Sequence, residues 1–457
     1  MQRIVIKNFG AVKEADIELK KITVLIGEQA SGKSTIAKLV YFFKTLNNEF
    51  LKEFHNRIVK KEEKSIDFSR ICKEAFYNLF GSITHLPKFE IYYYLSEERY
   101  ILLTSENKEL QVFFDEKIPI NILLNYTRDK IEWLVDNPKS KRGFVFLLKK
   151  EDMFHEYFIL LNKVFENNQS DFLYIIAGRN ATVSYSELFE KYLFAEVQNK
   201  VLENTKLPFA KKRYNIDEAL MLEFMKEISR IKDYFAEYGD FKNVMDYSIN
   251  EEHNLEITLD KINNIIKGKY LIDESGEKIV YNNKENDYVL LSNASSGQQE
   301  VIRILQDIFI SVIEEIKVFR IVEEPEAHLF PSAQKELIEL LSFLINQNDD
   351  NQILITTHSP YVLTVFNNLI FSKRITDKNP DANNEVNEII GNQFWIDSDD
   401  FSAYNLGKTD DNERHAQSII NEKTGLIQQN YLDEVSEKLG NDFQKLYSIH
   451  QKSFSRK

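Results

Sequence analysis

Residues 22–39 read ITVLIGEQASGKSTIAKL: an apolar run, a loop with two glycines, then a helical pattern. Ile22 to Ile26 predicts a strand buried on both faces. Ile36, Leu39, Val40 and Phe43 fall on one side of a helix predicted from about Lys33. Between them, Gly27-Glu28-Gln29-Ala30-Ser31-Gly32-Lys33-Ser34 has the spacing of a phosphate cradle. Glycines let the backbone turn tightly and aim successive N–H groups at one anion. The helix that follows points its N-terminal dipole at the same place. Lys33 suits the terminal phosphates as a point charge, and the Ser34 hydroxyl suits Mg²⁺. A nucleotide site is therefore expected on Gly27, Gln29, Ala30, Ser31, Gly32, Lys33, Ser34 and Thr35. The competing reading is a glycine turn that caps an ordinary helix.

Three later stretches supply what a phosphate loop lacks. FRIVEEPEAHLF, residues 319–330, is an apolar strand ending in two carboxylates. At such a strand end Glu323 would orient Mg²⁺ through water, and Glu324 would act as general base. A solvated acidic helix start is the alternative, and the strand running straight into the carboxylates argues against it. NQILITTHSPYVL, residues 351–363, is a second apolar strand, ending at His358, which could hydrogen-bond a terminal phosphate. LSNASSGQQE, residues 291–300, puts hydroxyls and a glycine at the start of an amphipathic helix. That is either a second anion site or only an N-cap.

The order of these motifs resembles that of ABC-type ATPase heads, in the group containing SMC, RecF and OLD-like (overcoming-lysogenization-defect) ATPases. NFGAVKEADIEL and IIAGR are similar to the same group. The resemblance implies an α/β fold: a P-loop NTPase head of ABC type with a helical and mixed insertion. It implies ATP and Mg²⁺ as ligands and a slow or regulated ATPase. It also implies a homodimer or higher oligomer of head-to-tail heads. Ser295, Ser296, Gly297 and Gln298 would form the signature that caps a partner's nucleotide, Glu326-Ala327-His328 the D-loop, and His358 the switch histidine. The signature departs from the common LSGGQ, with Ala294 for the leucine and Ser296 for the first glycine. Many such ATPases serve antiphage defence beside a nuclease. The Septu ATPases, whose partner is an HNH nuclease, are the nearest resemblance, and those of the PARIS system a rival. An OLD-like ATPase acting on DNA directly is the alternative.

Bulk properties narrow the classes. The 457 residues are too many for one simple core. Lone Cys72 rules out an internal disulfide and fits a reducing compartment. The net charge of −14 argues against a generic nucleic-acid coat. The basic runs Lys139 to Arg142 and Lys211 to Arg213 read as solvated faces. No stretch approaches the roughly 20 apolar residues of a membrane helix, and the start lacks a signal-peptide core, so a cytoplasmic protein without a membrane partner is expected.

Along the chain, residues 1–48 read as an N-terminal ATPase lobe and 49–170 as an inserted α+β lobe. Residues 171–266 read as a core strand plus a helical hairpin or arm, with helices over 185–204 and 216–238. Residues 267–408 read as the C-terminal ATPase lobe, and 409–457 as a polar, partly helical tail. Two rival activities stay open. FWIDSDD, residues 394–400, ends in an Asp-x-Asp able to hold Mg²⁺, as in a nuclease. A transporter's ATP-binding subunit is the other, against which the altered signature and the double Glu weigh.

Overall fold

A computed structural model describes residues 2–60, 66–136, 144–167, 170–184, 216–247, 254–281, 287–408, 414–428 and 441–447. Its strands begin with β1 (Gln2–Phe9), β2 (Val12–Leu19), β3 (Ile22–Ile26), β4 (Glu90–Tyr94), β5 (Tyr100–Glu106), β6 (Glu109–Phe114) and β7 (Asp171–Ile175). They continue with β8 (Lys269–Asp273), β9 (Gly276–Val280), β10 (Tyr288–Leu290), β11 (Val318–Glu323), β12 (Gln352–Thr357), β13 (Phe401–Lys408) and β14 (Arg414–Ser418). Eleven of them form one mixed sheet in the order β6-β5-β4-β1-β2-β14-β13-β3-β12-β11-β7, and β8 to β10 form a small antiparallel one. The fold is α/β, the class that the motif order implied.

The two halves of the large sheet differ in kind. β13, β3, β12, β11 and β7 run parallel. Every residue of β3 and β11 is buried, as their apolar runs require of strands covered on both faces. β1, β2, β4, β5 and β6 pair antiparallel and alternate between core and solvent. The helix Lys33–Lys60 spans both halves and buries Ile36, Leu39, Val40, Phe43, Phe50 and Phe54. Phe43 stacks on Tyr93, centroids 4.5 Å apart, and Phe54 on Tyr157 at 3.8 Å. Each such ring contributes about 1.5–3 kcal/mol by leaving water, far more than helix propensity offers per residue.

Register aligns the strand ends. Ile26 pairs with Thr357 on one side and Asn405 on the other, and Glu323 pairs with Thr356. Gly27, Glu324 and His358 therefore leave the sheet at one carboxyl edge, where parallel α/β sheets hold ligands.

The region after residue 400 adds two strands to the main sheet. Phe401–Lys408 is a core strand beside β3, and Arg414–Ser418, placed in the expected tail, is β14. Ser402, Asn405 and Gly407 break the apolar run of β13 and hide it from pattern reading. Residues 441–447 are helical. β4 to β6, within 49–170, extend the main sheet through the β1–β4 pairing. The helix expected over 216–238 is present as Ile216–Tyr238. The one over 185–204 and both basic runs lie outside the described residues. Among the described residues no helix is long and apolar enough to cross a membrane.

Candidate nucleotide site

The loop after β3 is built by close approach. Gly27 has φ +153°, and a Cβ there would sit 2.5 Å from the Leu406 carbonyl oxygen on β13. Gly32 has φ +104°, and its Cβ would meet Val12 Cγ2 at 2.5 Å. Ala30 adopts φ +59° without glycine's freedom. Such a conformation costs of order 1–3 kcal/mol and marks a constrained site. Glu28, Gln29, Ala30 and Ser34 are exposed, Thr35 is half-buried, and Gly27, Ser31, Gly32 and Lys33 are buried.

Lys33 is 5% exposed, and its Nζ donates to the carbonyls of Gly27 and Glu28, 2.9 Å each. Burial pushes the ammonium down to about 8, against the pull of Glu324, Glu326 and Glu323. Ser31 Oγ is buried with no hydrogen-bond partner. A cation held by neutral carbonyls beside an orphaned hydroxyl, in a cradle shaped by glycines, fits a bound phosphate.

The carboxylates divide their work by environment. Glu323 is buried, with Oε1 accepting from the Tyr174 hydroxyl at 2.7 Å and Oε2 from the Ala177 N–H at 3.1 Å. Its direct contacts are taken, so it suits a metal held through water. Glu324 is half-exposed and left-handed, φ +43°, with its N–H on the Thr356 carbonyl at 2.8 Å. His358 Nε2 lies 3.4 Å from its Oε1. That hydrogen bond holds the Glu324 carboxyl below the usual range against its burial, with Lys33 and Arg179 adding charge. Glu326 Oε1 accepts from the Thr357 hydroxyl (2.7 Å) and the His358 N–H (2.8 Å), while Oε2 is buried and unpartnered. Ser34 is exposed at the start of the helix, and a hydroxyl there is a ligand type that suits Mg²⁺.

Ser295 caps the helix Ser296–Ile313 with a capping box. The Gln298 N–H donates to Ser295 Oγ at 3.3 Å, and Gln298 Oε1 accepts from the Ser295 N–H at 3.1 Å. Gln298 Nε2 also donates to the Ile266 carbonyl, 2.6 Å. Ser295 and Ser296 are exposed, and Gly297 is buried against His328, whose carbonyl oxygen would lie 2.6 Å from a Cβ. This ties the serine-glycine stretch to the turn after Glu324. The Asp-x-Asp at 397–399 instead caps a short 3-10 turn, with Asp397 Oδ1 accepting the Asp399 N–H at 2.9 Å.

Sequence reasoning gave Arg179 no role. It is fully buried and donates to the carbonyls of Ile176 (3.0 Å), Glu300 (3.2 Å), Glu323 (2.6 Å) and Glu324 (2.9 Å). Its signal in the sequence is a glycine-arginine pair closing the apolar run FLYIIA.

Fold and site together are those of a P-loop ATPase domain. The chain belongs to the AAA ATPase domain family, whose sequence pattern matches residues 1–363. Similar solved structures include the SMC head domain from Thermotoga maritima, at 9% identity and TM-score 0.34, over 79% of this chain and 90% of that one. Another is an Smc head bound to the C-terminal winged-helix domain of ScpA, at 10% identity and TM-score 0.41, over 92% and 98%. A third is an Smc head with an extended coiled coil bound to the C-terminal domain of ScpA, derived from Pyrococcus furiosus, at 11% identity and TM-score 0.35, over 96% and 99%. No curated protein matches the chain.

Proposed function

We propose that this chain binds and hydrolyses ATP at the carboxyl edge of β3, β11 and β12. The observation that carries this is buried Lys33 under the combined field of Glu323, Glu324 and Glu326, beside the orphaned Ser31 hydroxyl. The loop 27–35 grips the triphosphate through backbone N–H groups and Lys33. Glu324 takes a proton from the attacking water, and His358 keeps that carboxylate ionised and aimed. Mg²⁺, held by Ser34 and a water on Glu323, neutralises phosphate charge.

Two copies close head to tail, with Ser295, Ser296, Gly297 and Gln298 of one capping the nucleotide of the other. Their support is the exposed helix start, whose dipole faces outward. Residues 1–48 and 267–408 supply the two ATPase lobes in this reading, with 49–170 inserted, 171–266 adding the core strand β7 and a helical arm, and β14 joining the main sheet beside β13. The motif resemblance supports a finer role: a nucleotide-gated sensor in antiphage defence that controls a partner nuclease of HNH type. DNA is a further candidate ligand.

The test is phosphate release by purified chain, with sizing in the presence and absence of ATP. Turnover that survives Glu324→Gln at the wild-type rate would remove the proposed base. A monomer at every ATP concentration, in that same variant, would remove the head-to-tail pair. Coexpression with the nuclease encoded beside it, if there is one, tests the finer role by ATP-dependent DNA cutting.

A further inference from the structure

We infer that Arg179 is a positioning residue that couples the helix Ser296–Ile313 to the backbone of Glu324, so that capping one nucleotide sets the carboxylate that serves the other. The inference rests on the ATPase reading above.

Arg179 reaches both parties at once. Toward the helix, its Nε donates to the Glu300 carbonyl at 3.2 Å and pairs with Glu300 Oε2 at 3.3 Å, and its backbone N–H donates to the same Oε2 at 3.0 Å. Toward the carboxylates, Nη1 donates to the Glu323 carbonyl at 2.6 Å and Nη2 to that of Glu324 at 2.9 Å. Side chains of both Arg179 and Glu300 are essentially without solvent, 0% and 3% exposed. The guanidinium is a flat fork whose donors have fixed directions, so a shift of the helix is passed on rather than absorbed.

The receiving end is held away from ordinary backbone angles. Glu324 sits at φ +43°, a conformation that persists only when its surroundings hold it. Its N–H is anchored on Thr356, and its carbonyl accepts from Arg179 at 2.9 Å and from the Ala327 N–H at 3.0 Å. If Arg179 shifts, the carbonyl keeps only the Ala327 donor from its own turn, the tie to the helix is lost, and the carboxylate leaves His358. A second contact acts in parallel: Gly297 lies against the His328 carbonyl, so the helix start and the turn after Glu324 move as one body. Ser295 and Ser296, five and four residues before Glu300 at the same helix start, are the groups proposed to meet the partner's nucleotide. Occupancy of that site thus acts on Glu324 in the other.

The test uses full-length chain and ATP. Phosphate release is measured against ATP concentration for wild type, Arg179→Lys, and the double variant Arg179→Met with Glu300→Leu. The double variant replaces a buried ion pair by apolar groups of similar size, which folds commonly tolerate. Thermal melts establish folding, and a fluorescent ATP analogue reports binding. The expected result is cooperative turnover in wild type. In at least one folded variant, turnover falls roughly tenfold or more, cooperativity disappears, and analogue affinity holds within about threefold. Wild-type turnover and cooperativity in every folded variant overturn the inference. So does loss of analogue binding in the folded variants, or unfolding of both, since Arg179 would then be only structural. Non-cooperative hydrolysis by wild type overturns the coupling alone, and no hydrolysis overturns the ATPase reading beneath it.

Discussion

His358 Nε2 stands 3.4 Å from Glu324 Oε1, and the two residues leave adjacent parallel strands. A carboxylate held by an imidazole stays ionised and keeps its aim, as a general base requires. Glu324→Gln keeps the shape and removes the basicity. Phosphate release is expected to fall roughly 10²–10⁴-fold while nucleotide binding persists.

Lys33 gives the site a pH dependence of known sign. Burial lowers its ammonium to about 8 in the free protein. A bound triphosphate favours the charged form and raises that value, so binding near pH 8–9 takes up a proton. ATP affinity should decline as pH rises through about 8, and calorimetry in two buffers of different ionisation heat should report the proton. Lys33→Ala should bind no nucleotide at any pH.

Gly27→Ala tests the fit between the loop and β13. Its Cβ would approach the Leu406 oxygen to 2.5 Å from a backbone at φ +153°. We expect a loss of more than about 1 kcal/mol of stability, read by thermal melting, together with weaker ATP binding.

Ser295→Ala separates cap from signature. Loss of the capping box should cost about 1 kcal/mol of stability. If the serine also meets a partner's nucleotide, turnover should fall in Ser295→Asn too, which keeps the cap but lacks the hydroxyl. Wild-type turnover in Ser295→Asn would leave Ser295 with capping alone.

Asp397→Ala removes the cap of a 3-10 turn. It should lower stability by about 1 kcal/mol at most and leave phosphate release unchanged. Metal-dependent DNA cutting by the pure chain, lost in this variant, would restore the nuclease alternative.

The parallel core was readable because β3, β11 and β12 are apolar runs that end in chemically distinctive residues. Buried strands of this kind leave a continuous signal, and the loop between Ile26 and Lys33 has few other uses. β13 was not readable. Ser402 sits in it because its neighbours satisfy it; its hydroxyl donates to the Glu18 carbonyl at 3.0 Å. Arg179 was hidden for a related reason. Its partners are carbonyls brought together by β7, β11 and the helix at 296–313, and no spacing along the chain encodes such a meeting. The helix start at Ser295 was visible as a cap, but its contact with His328 depends on tertiary packing alone.

The flanking of β3 by β12 and β13 has a consequence for biosynthesis. A ribosome will have released residues 22–33 long before it makes residues 401–408, the strand whose backbone walls Gly27. The nascent phosphate loop must remain unfinished, or be sheltered, until that strand emerges and pairs. The loop's final shape is therefore set by a segment made about 370 residues after it.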